Sequence, residues 1–269
     1  MKHQIRLSTL ALLAAAIASV VGCGGGSDSD APAANNPVTN CLTLSPRVIN
    51  GEVCAPQNSA VSKIILLFSS GDQGLCTGTA ITSKHILTAA HCFVRLGAVD
   101  AIVQGANGFV AASKITVHPA VTVDNKNAAL FNDIAIIETS QPHGLATAPI
   151  LLSEELKSGL QIGISGFGID ENGEFGDLKG GTMTISSVTP NHIAAKFDGS
   201  GSNTCNGDSG GPATLTVIRN GSPIVGLIGN TSSGIEEDCG PGDVSLFTNL
   251  QTSVVLDFIL QVAPGTSVL

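Results

Sequence analysis

Cys205-Asn206-Gly207-Asp208-Ser209-Gly210-Gly211-Pro212 sets one hydroxyl among glycines and beside a carboxylate. Glycine lets a backbone turn where a Cβ forbids it and lets a second chain come close. Such a turn suits an exposed nucleophile whose neighbouring N–H groups hold a developing oxyanion. A glycine-rich turn is also ordinary punctuation between elements. The functional reading therefore needs a base, and a group to orient that base, elsewhere in the chain.

A serine hydroxyl is a weak nucleophile at neutral pH, and its usual base is histidine. There are six histidines. His3 lies in the leader, while His85, His118, His143 and His192 sit at strand or turn edges, where a surface or hydrogen-bonded histidine is the ordinary case. His91 differs. In Leu87-Thr88-Ala89-Ala90-His91-Cys92 small residues precede the imidazole at the end of an apolar strand, and a cysteine follows it. Asp133, in Asn132-Asp133-Ile134-Ala135-Ile136-Ile137, is a charge at the mouth of an apolar strand. Unpaired there it would cost several kcal/mol, so it is the candidate to hold the imidazole. Taken singly, each also has a plain reading: a core-edge histidine beside a bridge, and a strand-start aspartate.

The setting of these residues is β. Of 269 residues 43% are apolar, enough for a sizeable core; only 12% are charged, and 32 are glycine. Short apolar runs broken by Gly, Asn and Ser predict strands near 61–68, 79–82, 85–88, 101–103, 109–117 and 134–137. A second set falls near 150–152, 161–167, 182–188, 192–197, 213–218, 224–228 and 244–248. Two groups of this size fit two barrels or a double sandwich. Leu250, Val254, Val255, Phe258, Ile259 and Val262 repeat at helical spacing, which predicts a C-terminal amphipathic helix. A net charge of −9, with no basic stripe, argues against nucleic acid as a partner.

Residues 1–22 read as a signal peptide: Lys2 and Arg6, then an apolar run too short to span a bilayer comfortably. Val20-Val21-Gly22-Cys23 resembles a bacterial lipobox, in which the cysteine is acylated and becomes the mature N-terminus. Residues 23–47 read as a flexible tether and propeptide. The expected protein is exported, and either lipid-anchored through Cys23 to a bacterial membrane (the outer one) or periplasmic or secreted. The bland alternative is an ordinary secretory signal with Cys23 a spare thiol. Export implies an oxidising compartment. Beyond Cys23 six cysteines remain, at 41, 54, 76, 92, 205 and 239; many connectivities are open, and spacing favours neighbours in sequence.

With these residues in view the chain resembles the chymotrypsin/trypsin family of serine proteases. The motifs are Thr88-Ala89-Ala90-His91-Cys92, Asn132-Asp133-Ile134-Ala135 and Gly207-Asp208-Ser209-Gly210-Gly211-Pro212, in the family's order. The resemblance runs from about Arg47 to the C-terminal helix and implies an all-β fold of two six-stranded antiparallel β-barrels with a C-terminal helix, residues 48–269. It implies polypeptide substrates, and neither cofactor nor metal. Ser209 would attack the scissile carbonyl, His91 would carry the proton and Asp133 would hold the imidazole. The N–H groups of Gly207 and Ser209 would form the oxyanion hole. Arg47-Val48-Ile49-Asn50-Gly51 resembles the family's activation site. Cleavage after Arg47 by an activating protease would free the Val48 amine to pair with Asp208, ordering the oxyanion hole. Cys76–Cys92 and Cys205–Cys239 match family bridges. Cys41–Cys54 is left over and would keep the propeptide tethered across the cut.

The chain departs from the pattern at the specificity pocket. By resemblance its base is Asn203, where trypsins carry Asp. Asp243, on the opposite wall near Gly242 and Ser245, is then a candidate source of negative charge. The wall that binds substrate backbone, Ser-Trp-Gly in the family, is expected at Gly229-Asn230-Thr231. The loop from Thr231 to Asp238 is long and ends in Glu236-Glu237-Asp238, read either as a solvated loop or as a preference for basic substrates. Asp170 to Glu174 and Asp177 form another acidic loop, whose spacing does not match a calcium-binding loop. Two other functions compete: a catalytically silent binding module on the same fold, and an esterase. Gly207 to Gly211 also fits the esterase Gly-x-Ser-x-Gly pattern, but an esterase needs the order Ser, Asp, His on an α/β fold.

Overall fold

A computed structural model describes residues 52–53, 59–123, 129–236 and 238–269. After β1 (Glu52–Val53), the chain forms β2 (Val61–Leu67), β3 (Gln73–Ala80), β4 (His85–Thr88), the one-turn helix α1 (His91–Val94), β5 (Asp100–Gly105) and β6 (Gly108–Val117). A small hairpin of β7 (Thr122–Val123) and β8 (Leu130–Phe131) leads to β9 (Ala135–Thr139). Six of these strands close a barrel in the order β2-β3-β4-β9-β6-β5, every pairing antiparallel. Alternation selects the inward side chains: Ile64 and Leu66 of β2 are fully buried while Lys63, Ile65 and Leu67 between them are partly exposed.

The second barrel comprises β10 (Gln161–Gly166), β11 (Lys179–Val188), β12 (His192–Lys196), β13 (Pro212–Arg219), β14 (Ser222–Ser233) and β15 (Val244–Asn249). The order is β11-β10-β13-β14-β15-β12, and β12 closes it on β11. Strand β1 adds to the outside of β11, with Glu52 opposite Gly180. Ile162, Ile164, Met183, Ile185, Ile193 and Phe247 fill the interior. The C-terminal helix α2 (Ser253–Val262) returns to the first barrel, where Val255, Phe258 and Ile259 join its core. Val254, counted among the helix's apolar positions by spacing, instead faces solvent.

The two groups of strands and the closing helix agree with the sequence expectation; three details do not. Residues 150–152 make isolated bridges from Ile150 to Leu227 and Val268 and no strand. This run is apolar because it crosses between the barrels, Ile150 joining one core and Leu151 the other. Strand β3 starts at Gln73, well before its expected start at Thr79, because Gly74 to Gly78 pair with β2 although they lack an apolar pattern. His91 opens helix α1 rather than ending a strand, and the N–H groups of Arg95 and Leu96 donate back to its carbonyl. Residues 1–51 and Cys54, and with them the signal peptide, Cys23, Cys41, Arg47 and Val48, lie outside the described residues.

Candidate active site

The barrels meet along a cleft with a cavity of about 520 Å3, lined on one side by Leu75, Cys76 and His91 and on the other by Cys205, Gly207, Ser209 and the end of β14. His91 reaches this cleft because α1 starts directly after β4, and the Cys76–Cys92 disulfide ties that turn to β3. Asp133 reaches it from the turn before β9. Asn132 there takes a left-handed φ of 50°, a conformation Asn tolerates better than most residues.

Asp133 is fully buried and His91 only 7% exposed. Asp133 Oδ1 accepts the His91 backbone N–H at 2.8 Å, and Oδ2 lies 2.7 Å from His91 Nδ1. A carboxylate accepts, so Nδ1 carries the proton and Nε2 is left as an acceptor. Nε2 lies 2.9 Å from Ser209 Oγ. Such an arrangement can withdraw the serine proton as the oxygen attacks a carbonyl, and can hold the resulting imidazolium beside a buried anion. Ser232 Oγ donates to Asp133 Oδ2 at 2.6 Å, while Asn230 Nδ2 and Thr248 Oγ1 donate to the Asp133 carbonyl. The sequence reading missed all three, since each acts through tertiary contact.

The turn that carries Ser209 is clamped to the first barrel by Thr77. Its N–H donates to the Ser209 carbonyl at 2.8 Å, and its Oγ1 donates to the Gly207 carbonyl at 2.8 Å while accepting from Phe167 N–H. Thr88 Oγ1 in turn donates to the Thr77 carbonyl. Gly210 (φ 84°) packs so tightly here that a Cβ would sit 2.2 Å from Thr88 Oγ1. Gly207 (φ 99°) similarly faces Gly168, with 2.9 Å between its would-be Cβ and the Gly168 Cα. The N–H groups of Gly207 and Ser209 donate to no acceptor among the described residues. Two free donors beside Ser209 Oγ can bind an oxyanion.

Asp208 points away from this cleft into the second barrel. It is fully buried, and its oxygens accept from Gly168 N–H at 2.8 Å and Cys205 N–H at 2.9 Å. Gly166 and Gly168 leave room for it, since a Cβ on either would overlap the carboxyl. Burial pushes its pKa up to about 7, against the pull of those two N–H groups. No cation faces it among the described residues. The disulfide Cys205–Cys239 ties the turn to the loop after β14.

The trypsin family model matches residues 48–259. The chain belongs to the trypsin family. It is 32% identical over 199 residues to trypsin of Sus scrofa, covering 65% of this chain and 80% of that one. It is 31% identical over 219 residues to chymotrypsin-C of Rattus norvegicus, covering 71% and 80%. A solved structure of HL collagenase superposes with a TM-score of 0.63 over 80% of this chain and 97% of its own, at 22% identity, which speaks to the fold alone. Membership of a serine protease family implies peptidase activity on polypeptides. The disulfides and the trypsin-like relatives point to a secreted or extracellular protein.

At the specificity pocket of this trypsin-family chain the structure redraws the expected walls. Gly229 is not at the cleft; it lies inside the second barrel against Phe247, Ala213 and Ile193. The segment lining the cleft is Thr231 to Glu236, which begins at the last residue of the expected wall, and Ser232 is the residue held by Asp133. With no Trp to mark the motif, sequence offers no way to see which serine meets a buried carboxylate. Asn203, Asp243 and Ser245 lie together but behind the cavity lining, all fully buried. Asp243 is not a free charge: Oδ1 accepts from the N–H groups of Ile235, Glu236 and Val244, and Oδ2 from Asn203 Nδ2.

Elsewhere the remaining histidines are held by ordinary contacts. His118 packs at a tilt against the Phe258 ring, His192 donates to the Leu130 carbonyl and His143 to that of Thr82. Desolvation by burial lowers His85 and His143 below the usual imidazole range. In the acidic loop the Lys179 ammonium beside Asp170 holds that carboxyl at about 2, aided by the N–H groups of Glu174 and Asn172. The loop is thus organised by its own lysine.

Proposed function

We propose that the chain is a serine endopeptidase that hydrolyses peptide bonds through an acyl-enzyme. The observation that carries this reading is the hydrogen-bonded series Asp133–His91–Ser209, with 2.7 and 2.9 Å steps, assembled from both barrels. Ser209 Oγ adds to the scissile carbonyl while its proton passes to His91 Nε2. Asp133 keeps the imidazole in the accepting tautomer and stabilises its cation. The free N–H groups of Gly207 and Ser209 hold the oxyanion, each such donor being worth roughly 3–4 kcal/mol. His91 then gives the proton to the leaving amine, and water repeats the sequence on the acyl ester.

The same reading makes the enzyme a zymogen, cut after Arg47 by an activating protease. The buried Asp208, which no cation faces among the described residues, supports it: an amine arriving at this carboxyl would offset the cost of its burial and fix the turn that carries Gly207 and Ser209. Export and anchoring through an acylated Cys23 complete the proposal, resting on the leader sequence alone.

A fluorophosphonate probe tests the activity. The Val48-started protein is expected to be labelled and to cleave a casein substrate, with both lost in Ser209→Ala. A folded, Val48-started protein that neither labels nor cleaves would mean a silent binding module.

A further inference from the structure

The residues behind the cavity form a chain of hydrogen bonds whose direction is fixed throughout. Asp243 Oδ2 can only accept, so the Asn203 amide must turn its Nδ2 to it, at 2.7 Å; the same Nδ2 donates to the Cys239 carbonyl at 3.0 Å. Asn203 Oδ1 therefore faces Ser245 and accepts its hydroxyl proton at 2.7 Å. Ser245 has one proton, now spent, so the 2.7 Å contact between Ser245 Oγ and Thr204 Oγ1 must be donated by Thr204. Any further hydrogen bond at Thr204 Oγ1 is one that it accepts. Thr204 lines the cavity beside Ser209.

A second observation lies on another wall. Thr231 lines the same cavity, is 4% exposed, and its Oγ1 has no hydrogen-bond partner among the described residues. The neighbouring Ser233 Oγ has none among them either. A buried hydroxyl without a partner costs on the order of 1–3 kcal/mol, which a ligand acceptor would recover. The charged side chains on the lining, Arg95 and Glu236, are exposed and opposite in sign, and Asp243 is taken up by four N–H donors.

We propose that this cavity is built for a carboxamide side chain, Gln or Asn, on the acyl side of the scissile bond. The ligand NH2 donates to Thr204 Oγ1 and its carbonyl accepts from the free hydroxyl of Thr231. A lysine or arginine finds an acceptor at Thr204, but the oxygens of Asp243 behind it already hold four N–H groups. A glutamate meets lone pairs at Thr204, and an aromatic ring leaves the Thr231 hydroxyl without a partner. The inference rests on Ser209 being the attacking residue of the proposed function.

The test uses peptides identical except at that residue: Gln, its near-isostere Met, Glu, Arg and Phe. Their hydrolysis is followed with the Val48-started enzyme. Binding of the matching product peptides, which end at that residue, is measured by calorimetry on Ser209→Ala. Gln is expected to exceed each of the others at least about tenfold in kcat/KM, and its product to bind most tightly. In Thr204→Val the Gln-to-Met ratio should fall about tenfold. In Ser245→Ala the Thr204 proton is released to the cavity, and the Glu-to-Gln ratio should rise. Ratios within one variant are insensitive to how much of it folds. Equal use of Gln and Met, or a preference for Arg or Phe, overturns the proposal. If no peptide is hydrolysed but the Gln product still binds best, the pocket stands and the catalytic reading falls.

Discussion

Ser232 Oγ donates at 2.6 Å to Asp133 Oδ2, the same oxygen that lies 2.7 Å from His91 Nδ1. A strand of the second barrel thereby fixes the carboxylate that belongs to the first. Removing the hydroxyl leaves a buried oxygen with one donor fewer, in a site where a small misplacement is expensive. Ser232→Ala is expected to lower kcat several-fold with KM nearly unchanged, and Ser232→Thr to restore much of it. Steady-state kinetics on matched peptides reads both.

Asp133→Asn leaves the shape of the site but offers an amide N–H or carbonyl where a carboxylate stood. The imidazole then loses both its tautomer control and its counter-ion. A fall of roughly 10^4 in kcat at neutral pH is expected, against little change in stability. A loss below about tenfold would separate this site from the mechanism proposed for it.

Asp208 gives the uncut chain a pH dependence. Folded, it keeps its proton until about pH 7 because burial disfavours the charge; unfolded, it releases it near 3.8. Between those values the unfolded chain binds fewer protons, so stability is greatest at the acid end and falls as pH rises towards 7. On a background of Arg47→Gln with Ser209→Ala, the melting temperature should drop over this window, and Asp208→Asn should flatten the drop. In the cut form the Val48 amine should abolish it. A slope that is the same in the cut and uncut forms argues against the pairing.

Thr77 makes two contacts that hold the turn carrying Ser209, to the Ser209 and Gly207 carbonyls, and its hydroxyl also accepts from Phe167 N–H. Thr77→Val keeps the shape but leaves the buried Phe167 N–H without an acceptor. A loss of about 1–3 kcal/mol in denaturant unfolding is expected, with a lower kcat as the Gly207 amide loosens.

Processing is read directly. Arg47→Gln should leave the chain uncut at that bond and inactive on peptides, and N-terminal analysis of active wild-type protein should find Val48. Full activity with the Arg47–Val48 bond intact would falsify the zymogen reading.

Much of the fold was legible because a barrel strand writes its burial into alternate residues, as Ile64 and Leu66 do in β2. The start of β3 was not, since Gly74-Leu75-Cys76-Thr77-Gly78 earns its strand from partners in β2 and not from its own side chains. Ile150 and Leu151 misled in the opposite sense, being apolar because each serves a different core. His91, Asp133 and Ser209 could be chosen from local context, an unusual polar group in an apolar or glycine-rich setting. The supporting residues could not. Serines and threonines such as Ser232, Thr77 and Thr204 are common everywhere, and only their neighbours distinguish them.

By itself, then, the sequence determined the two sets of strands and the closing helix and singled out His91, Asp133 and Ser209, because hydrophobic period, glycine and isolated charge are local properties. The tertiary structure decided which serine meets Asp133, which groups donate to Asp243 and which way the protons point from Asn203 to Thr204. The bonds from Asn203 to Thr204 join residues 36 to 42 positions apart and exist only once the second barrel has closed; that from Ser232 to Asp133 spans 99 positions and needs both barrels.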